Sequence, residues 1–418
     1  MAISLYVHIP YCQHKCGYCD FNSHAGSDRA EQERYVQALL MEMDAWARRP
    51  ELAGETVPTI FIGGGTPTLL EGRLLAQVIR GVYDRFAIEP GAEFTIEANP
   101  GTVDLEGEKL RLAFEAGANR VSFGVQARQP HLLQALGRIH TAEEVERAVA
   151  SARAAGFANI NLDLMYGLPG QTPADFTETI RWALSLGPTH ISAYSLIIEE
   201  GTPFFVDYEA GRLSLPPEEA EEAMFQEGTA LLSAAGFHHY EVSNFALPGR
   251  ECRHNLVYWR NGAYLGLGCG AHSFLRLAAP LPNLGAQRPA LTASRVQGGA
   301  WVETAPGAAG QLYRFWALKH PGTYRAALER GELPVEAGEV IDRESEMAET
   351  MMVGLRLLEG VSEEWFARRF GVALSAVYGE PIARLTQQGL VEQCDGYLRL
   401  TRRGLRLGNL VWQEFLPG

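Results

Sequence analysis

Through the first half of the chain, short runs rich in β-branched residues alternate with stretches whose apolar positions recur every three to four residues. That alternation builds parallel sheets through right-handed crossovers. It predicts six strands, near Leu5 to Ile9, Thr59 to Ile62, Glu93 to Ala98, Arg120 to Val125, Ile160 to Met165 and His190 to Ile198. Helices are expected between them, over Ala30 to Ala47, Glu71 to Phe86, Leu105 to Ala116, Ala142 to Ala155 and Pro173 to Leu186. Three of these run into Gly117, Gly156 and Gly187, where a left-handed C-cap is wanted. Six βα units close only part of a circle, so the expected fold class is α/β, a partial (β/α)6 barrel over residues 1–215.

The pattern then loosens. Residues 216–310 read as an extension: a helix over Pro217 to Phe237, a Gly-rich stretch YLGLGCGAHSF from Tyr264 to Phe274, and a Pro, Ala and Gly-rich segment from Leu277 to Gly310 expected to be irregular loop with a short hairpin. Residues 311–418 read as a smaller C-terminal α+β domain. Helices are expected over Gln311 to Lys319, Thr323 to Arg330, Ser345 to Leu358 and Glu363 to Phe370. LTQQGLVEQCDGYLRLTRRG comes next, as a helix ending at Gly389 and two strands around Asp395-Gly396, a winged-helix-like pattern.

Composition narrows the class. The chain has 418 residues, 46% hydrophobic and 21% charged, as expected of a globular protein of two or three domains. Its apolar runs are broken by Gly, Pro or charge well short of the ~18 to 20 residues a membrane helix needs. The start, MAISLYVHIPYC, lacks the basic and apolar regions of a secretory signal, so a cytoplasmic location without a transmembrane segment is expected. With 36 Lys plus Arg against 50 Asp plus Glu, the net charge of -14 repels phosphate backbones and argues against nucleic acid. The basic run in YLRLTRRGLR is accordingly read as a solvated face. Six cysteines are present, of which Cys12, Cys16 and Cys19 cluster while Cys252, Cys269 and Cys394 are scattered. Three clustered thiols in a reducing compartment suggest a metal site rather than disulfides.

Reactive groups of parallel barrels gather at the carboxyl ends of the strands. The first strand leads into HIPYCQHKCGYCDF, with CxxxCxxC spacing, and the second into Gly63-Gly64-Gly65-Thr66-Pro67, where a backbone can approach a ligand closely. The third ends in Glu97-Ala98-Asn99, the fourth in Gly124-Val125-Gln126, the fifth carries Asp163 and the sixth ends near Ile197. Three thiolates can hold three irons of a [4Fe–4S] cluster, leaving the fourth iron open to another ligand. The alternative is a Cys3His zinc site completed by His8, His14 or His24. YLGLGCGAHSF lacks the mononucleotide-fold context and the acidic residue of a dinucleotide site.

The CxxxCxxC loop after the first strand and the Gly-rich motif after the second resemble the radical S-adenosylmethionine (SAM) proteins. YVHIPYC, GGGTP, RVSFGVQ, LGRIH and DLMYGLPGQT narrow the resemblance to relatives of oxygen-independent coproporphyrinogen III oxidase, over nearly the whole chain. The resemblance implies Cys12, Cys16 and Cys19 as cluster ligands, with SAM's amino and carboxylate groups on the open iron. It implies SAM contacts from Tyr6, Tyr18, Gly64, Gly65, Thr66, Glu97, Gln126, Arg138 and Asp163, with Ile197 giving a backbone contact. Tyr18 would pack on the adenine, Gly64 to Thr66 would hold the methionine amine through backbone oxygens and amides, and Arg138 would bind a carboxylate as a planar fork.

Two departures separate the chain from the oxidase. Phe21 stands where the oxidase pattern has a further cysteine, and the longer segment ahead of the oxidase's cluster has no counterpart before Cys12. Both are similar to the branch described as heme chaperones, in which an HNxxYW motif, here His254 to Trp259, is associated with heme binding. That implies a [4Fe–4S] cluster, SAM and heme as cofactors, with acceptor hemoproteins, including respiratory-chain ones, and an electron donor as partners. A chaperone is expected rather than an enzyme, the alternative being radical chemistry on a porphyrin of the coproporphyrinogen dehydrogenase type. His254 is the expected iron ligand, against the reading of a packed core histidine. Cys252 is either a second ligand or a small buried residue, and His272 is another candidate. Heme carries anionic propionates, so a local arginine such as Arg253 or Arg260 is expected to offset the acidic field.

Overall fold

The structure, a computed structural model, describes residues 2–104, 106–278, 281 and 310–416. All six expected strands form: β1 (Ser4–Ile9), β2 (Thr56–Gly64), β3 (Ala87–Ala98), β4 (Arg120–Gln126), β5 (Asn159–Tyr166) and β6 (His190–Ser195). They pair in chain order, every pair parallel, as an open partial barrel. The crossover helices α1 (Arg29–Ala47), α2 (Gly72–Arg85), α3 (Glu108–Glu115), α4 (Ala142–Ala155) and α5 (Pro173–Ser185) match the 3.6-residue pattern. Reciprocal capping boxes, Thr141 with Glu144 and Thr172 with Asp175, start α4 and α5 by satisfying orphan N–H groups. Gly156 ends α4 at φ +111°, a conformation that favours glycine.

The strands sort their residues by face. Leu5, Val7 and Ile9, then Ile60 and Ile62, Phe94 and Ile96, Val121 and Phe123, Ile160 and Leu162, and Ile191 are all buried in one core on the helix side. Each contributes about 1.5–3 kcal/mol of apolar burial. Alternate positions face the lumen, and there Ser4, Tyr6 and His8 stand beside Thr59 and Phe61, Glu93 and Glu97, Arg120 and Ser122, Asn161 and Asp163, His190 and Ser192. A closed (β/α)8 barrel fills its interior with branched aliphatics. This one is lined with polar groups and aromatic rings, so it has room for ligands.

The sheet extends at both edges. Beside β6 lie antiparallel β7 (His238–Glu241) and β8 (Asn244–Ala246), and beside β1 lies β9 (Tyr264–Leu267), followed by antiparallel β10 (His272–Leu277), β11 (Gln311–Ala317) and β12 (Val335–Val340). The helix expected over Gln311 to Lys319 is therefore a strand. Tyr313, Phe315 and Ala317 are buried while Arg314 and Trp316 are not fully so, and this period of two fits a sheet between two partners. Residues 311–340 thus continue the large sheet instead of opening the C-terminal unit. Of the loop expected over 277–310, all but Leu277, Ala278, Leu281 and Gly310 lies outside the described residues, as does Leu105 at the expected start of α3.

A second core gathers Met347, Met351, Phe366, Phe370, Leu385, Leu398 and Phe415. It joins helices Arg343–Gly354, Glu363–Phe370 and Leu374–Gln387 to a three-stranded sheet of Val361–Ser362, Val391–Cys394 and Tyr397–Leu400. Asp395 and Gly396 turn the hairpin with φ of 52° and 79°, the Asp-Gly geometry of the winged pattern. Among the described residues no helix is long and apolar enough to cross a membrane.

Candidate cofactor site and adjoining chamber

Beyond β1, Tyr11–Cys12 pairs with His24–Ala25, which pins both ends of the cysteine loop over the barrel mouth. Cys16 is buried and Cys12 and Cys19 half-buried, all as free thiols on one cavity. Thr66 Oγ1 lies 3.7 Å from Cys12 Sγ, and Arg138 Nη1 lies 3.7 Å from Cys16 Sγ. Burial, then the neighbouring Cys16 and Cys12, raises the Cys19 thiol. The histidines that could complete a zinc site are placed differently, and His14 lines the cavity beside the thiols. His8 donates from Nε2 to Asn22 O (2.8 Å) and accepts from Tyr6 O–H (3.0 Å), while His24 packs edge-on against His320. Among the described residues no three His, Cys, Asp or Glu side chains converge on one metal ion's position.

The same cavity is lined by Tyr18, Gly64, Gly65, Thr66, Glu97, Gln126, Arg138 and Asp163, eight of the residues expected to meet SAM. The glycines act differently from the expectation. The amides of Gly64, Gly65 and Thr66 already donate to Glu97 Oε2 (3.1 Å), Ile9 O (2.8 Å) and Tyr11 O (2.7 Å), so the backbone of this segment offers a ligand carbonyl oxygens rather than amides. What demands glycine is close packing, since a Cβ on Gly65 would stand 2.6 Å from Tyr11 O and one on Gly64 would enter the His8 ring.

Glu97 spends one oxygen on Gly64, and Oε1 has no hydrogen-bond partner among the described residues. Burial, then the Asp163 charge, pushes its pKa up to about 8. Asp163 accepts from Ser122 Oγ (3.0 Å) and Asn161 Nδ2 (2.8 Å); burial raises its pKa, and these donors hold the rise back. Gln126 sits at φ +67° where the β4–β5 register shifts, a strained non-glycine backbone at the cavity rim. Arg138 donates through Nη2 to Gly124 O, and its Nε is buried without a partner. The Glu97 oxygen without a partner, for an ammonium, and the Arg138 guanidinium, for a carboxylate, suit the methionine end of SAM. Tyr18, edge-on to Phe204 at 6.2 Å, is placed to cover a ring.

Two expected contacts fall elsewhere. Ile197 is 66% exposed on the loop after β6 and does not line this cavity, because the strand ends at Ser195. Tyr6 lines a second chamber on the other side of Gly64 and Glu97. That chamber occupies the lumen, walled by Phe61, His254, Tyr258 and Tyr264, the polar lumen residues of β4 to β6, and His272 and Lys319 from the sheet extension. Arg120, Asn161, His190 and Ser192 were missed in the sequence, although their alternation with buried apolar residues was visible in each strand.

His254 is buried on the chamber wall. It is 1% exposed and stacks on Phe61 (5.4 Å), and Glu93 accepts from the backbone N–H groups of Arg253 and His254 (3.0 Å each) to anchor the start of helix Arg253–Trp259. Thr59 gives its proton to Ser4, so His254 Nδ1 donates to Thr59 (2.9 Å) and Nε2 accepts from Tyr258 O–H (2.9 Å). Both nitrogens are engaged, and burial, then the Arg120 charge, lowers the pKa to about 3. An iron bound at Nε2 would therefore have to displace the Tyr258 hydroxyl. Cys252 is fully buried against Glu93, its thiol pushed up to about 12 by burial, and resembles a packing residue. His272 is exposed, stacked on Trp316 (5.6 Å), and its ring has no hydrogen bond among the described residues.

Comparison with known proteins agrees with this architecture. The Radical SAM superfamily matches residues 6–183 and the HemN C-terminal domain residues 341–407. The chain is 38% identical to heme chaperone HemW of Bacillus subtilis over 99% of both chains, and 36% identical to heme chaperone HemW of Escherichia coli over 99% of this chain and 98% of that one. The solved structure of coproporphyrinogen III oxidase (HemN) from E. coli, a radical SAM enzyme, superposes with a TM-score of 0.78 at 22% identity, covering 99% of this chain and 90% of that one. The chain belongs to the radical SAM superfamily and, within it, to the family of the HemW heme chaperones. Membership implies a [4Fe–4S] cluster and SAM, and the cysteine cavity fits both. Such a cluster, when bound, supplies SAM with an electron.

Proposed function

We propose that the protein is a heme carrier on a radical SAM scaffold, which takes up heme in the lumenal chamber and passes it to acceptor hemoproteins, including respiratory ones, in the cytoplasm. Cys12, Cys16 and Cys19 hold the cluster; Gly64, Gly65, Thr66, Glu97, Gln126, Arg138 and Asp163 hold SAM under Tyr18; an electron donor reduces the cluster. The observation that carries this reading is kinship with the heme chaperones along the full chain. Phe21, 58% exposed where the oxidase pattern has cysteine, supports it. Within the chamber, His272 is the histidine with an uncommitted ring, so it replaces His254 as the proposed iron ligand.

A second reading, radical chemistry on a porphyrin, draws on one feature: Gly64, Glu97, Ser122 and Asp163 line both hollows, so a chamber ligand would lie beside SAM. Incubating the reconstituted protein with reductant, SAM and coproporphyrinogen III separates the two. A carrier leaves the porphyrinogen unchanged and transfers heme to an apo-hemoprotein; formation of protoporphyrinogen IX without transfer overturns the carrier reading.

A further inference from the structure

One charged side chain on the chamber wall has no role in anything described so far. Arg120 opens β4 at the base of the lumen and is 2% exposed. Its Nε is sealed without an acceptor, and its terminal nitrogens hydrogen-bond to no described residue. Neighbouring acids offset its charge at a distance without bonding it. Glu93, felt by Arg120 after Cys252, gives its oxygens to the amides of Arg253 and His254, while Asp163 is occupied by Ser122 and Asn161. The arginines expected to balance an anionic ligand stand elsewhere: Arg253 donates to Gly91 O (2.9 Å), Arg260 pairs with Glu359 (3.3 Å), and neither lines the chamber.

A buried guanidinium with its donors unused is costly, because it has lost water's hydrogen bonds and gained none in return. The cost is offset when a ligand entering the chamber supplies the acceptors. A planar fork of donors matches a carboxylate, which it can bind through two parallel bonds. We propose that Arg120 is the receptor for a carboxylate of the chamber's ligand, a propionate when that ligand is heme; the identity of the carboxylate rests on the carrier reading above.

The test compares iron protoporphyrin IX with its dimethyl ester, which has no carboxylate, on the full-length protein. Wild type should bind the diacid about tenfold or more tighter than the ester, the scale of one charge-assisted hydrogen-bonded pair. Arg120→Gln should lose that preference by weakening the diacid alone, and Arg120→Lys should keep part of it. Equal weakening of both ligands would make Arg120 a structural residue and overturn the proposal, as would a wild type that does not distinguish them. If Arg120→Gln does not fold, the wild-type ratio and Arg120→Lys decide by the same criteria. A wild type that binds neither porphyrin sinks the carrier reading itself, and the propionate assignment with it.

Discussion

The two hollows of the barrel share a wall and are made in opposite ways. The cysteine cavity is built largely at and beyond the strand ends, from the CxxxCxxC loop, the Gly64–Thr66 turn, Gln126 on its strained bend and Arg138 after the short helix Pro130–Leu136, with Glu97, Ser122 and Asp163 on the shared wall. The chamber is built from the strands' own inward positions, with His272 and Lys319 brought in by the sheet extension. Loop residues bunch into motifs; lumen residues are spread singly at every second position across six strands. The first design suits a compact cofactor with fixed valences, the second a broad ligand gripped at a few widely separated points.

If the hollows are separate in function, replacing Cys12, Cys16 and Cys19 together by serine should cut iron and sulfide to background in reconstitution while heme titration stays within a few-fold of wild type. Loss of both would merge them into one site. The histidines should divide next. His272→Ala should abolish the iron-ligand signature in the heme absorption spectrum and leave thermal unfolding unchanged. His254→Ala should keep that spectrum while unfolding measurements show a loss of about 1–3 kcal/mol, the cost of stranding buried Thr59 and Tyr258 partners. The reverse pattern would restore His254 as ligand. Arg138→Ala should weaken SAM about tenfold or more by calorimetry, with heme affinity unaffected.

The smallest effect is one of pH. Glu97, raised to about 8, keeps in the folded protein a proton that the unfolded chain releases near pH ~4.3. Its contribution is complete below the unfolded value and is lost progressively as pH rises from there to about 8, so stability should fall across that span and level off above it. Glu97→Gln should flatten that slope in pH-dependent denaturation; an unchanged slope would assign it to another group.

The legibility of each region stems from this construction. The six strands and five crossover helices were readable because apolar periodicity is the same physics that buries them, and CxxxCxxC because adjacent ligands must lie close in sequence. The position of Ile197 beyond the end of β6 was not legible because motif matching does not reveal where a strand stops. The hydrogen bonds of His254 were not legible because they depend on Thr59 and Tyr258, one of them 195 residues away in the chain. Gln311 to Ala317 was mistaken for a helix because a strand with partners on both sides carries enough apolar residues to satisfy either period.

Asn22, just past the cysteines, donates to the carbonyl of Lys319, 297 positions further on. Translation delivers the thiols early and their clamp late. The pairing of Tyr11–Cys12 with His24–Ala25 can form early, while the Asn22 tether waits for β11 and the residues after it. The cysteine loop thus gains its final tether from chain made 297 residues after it.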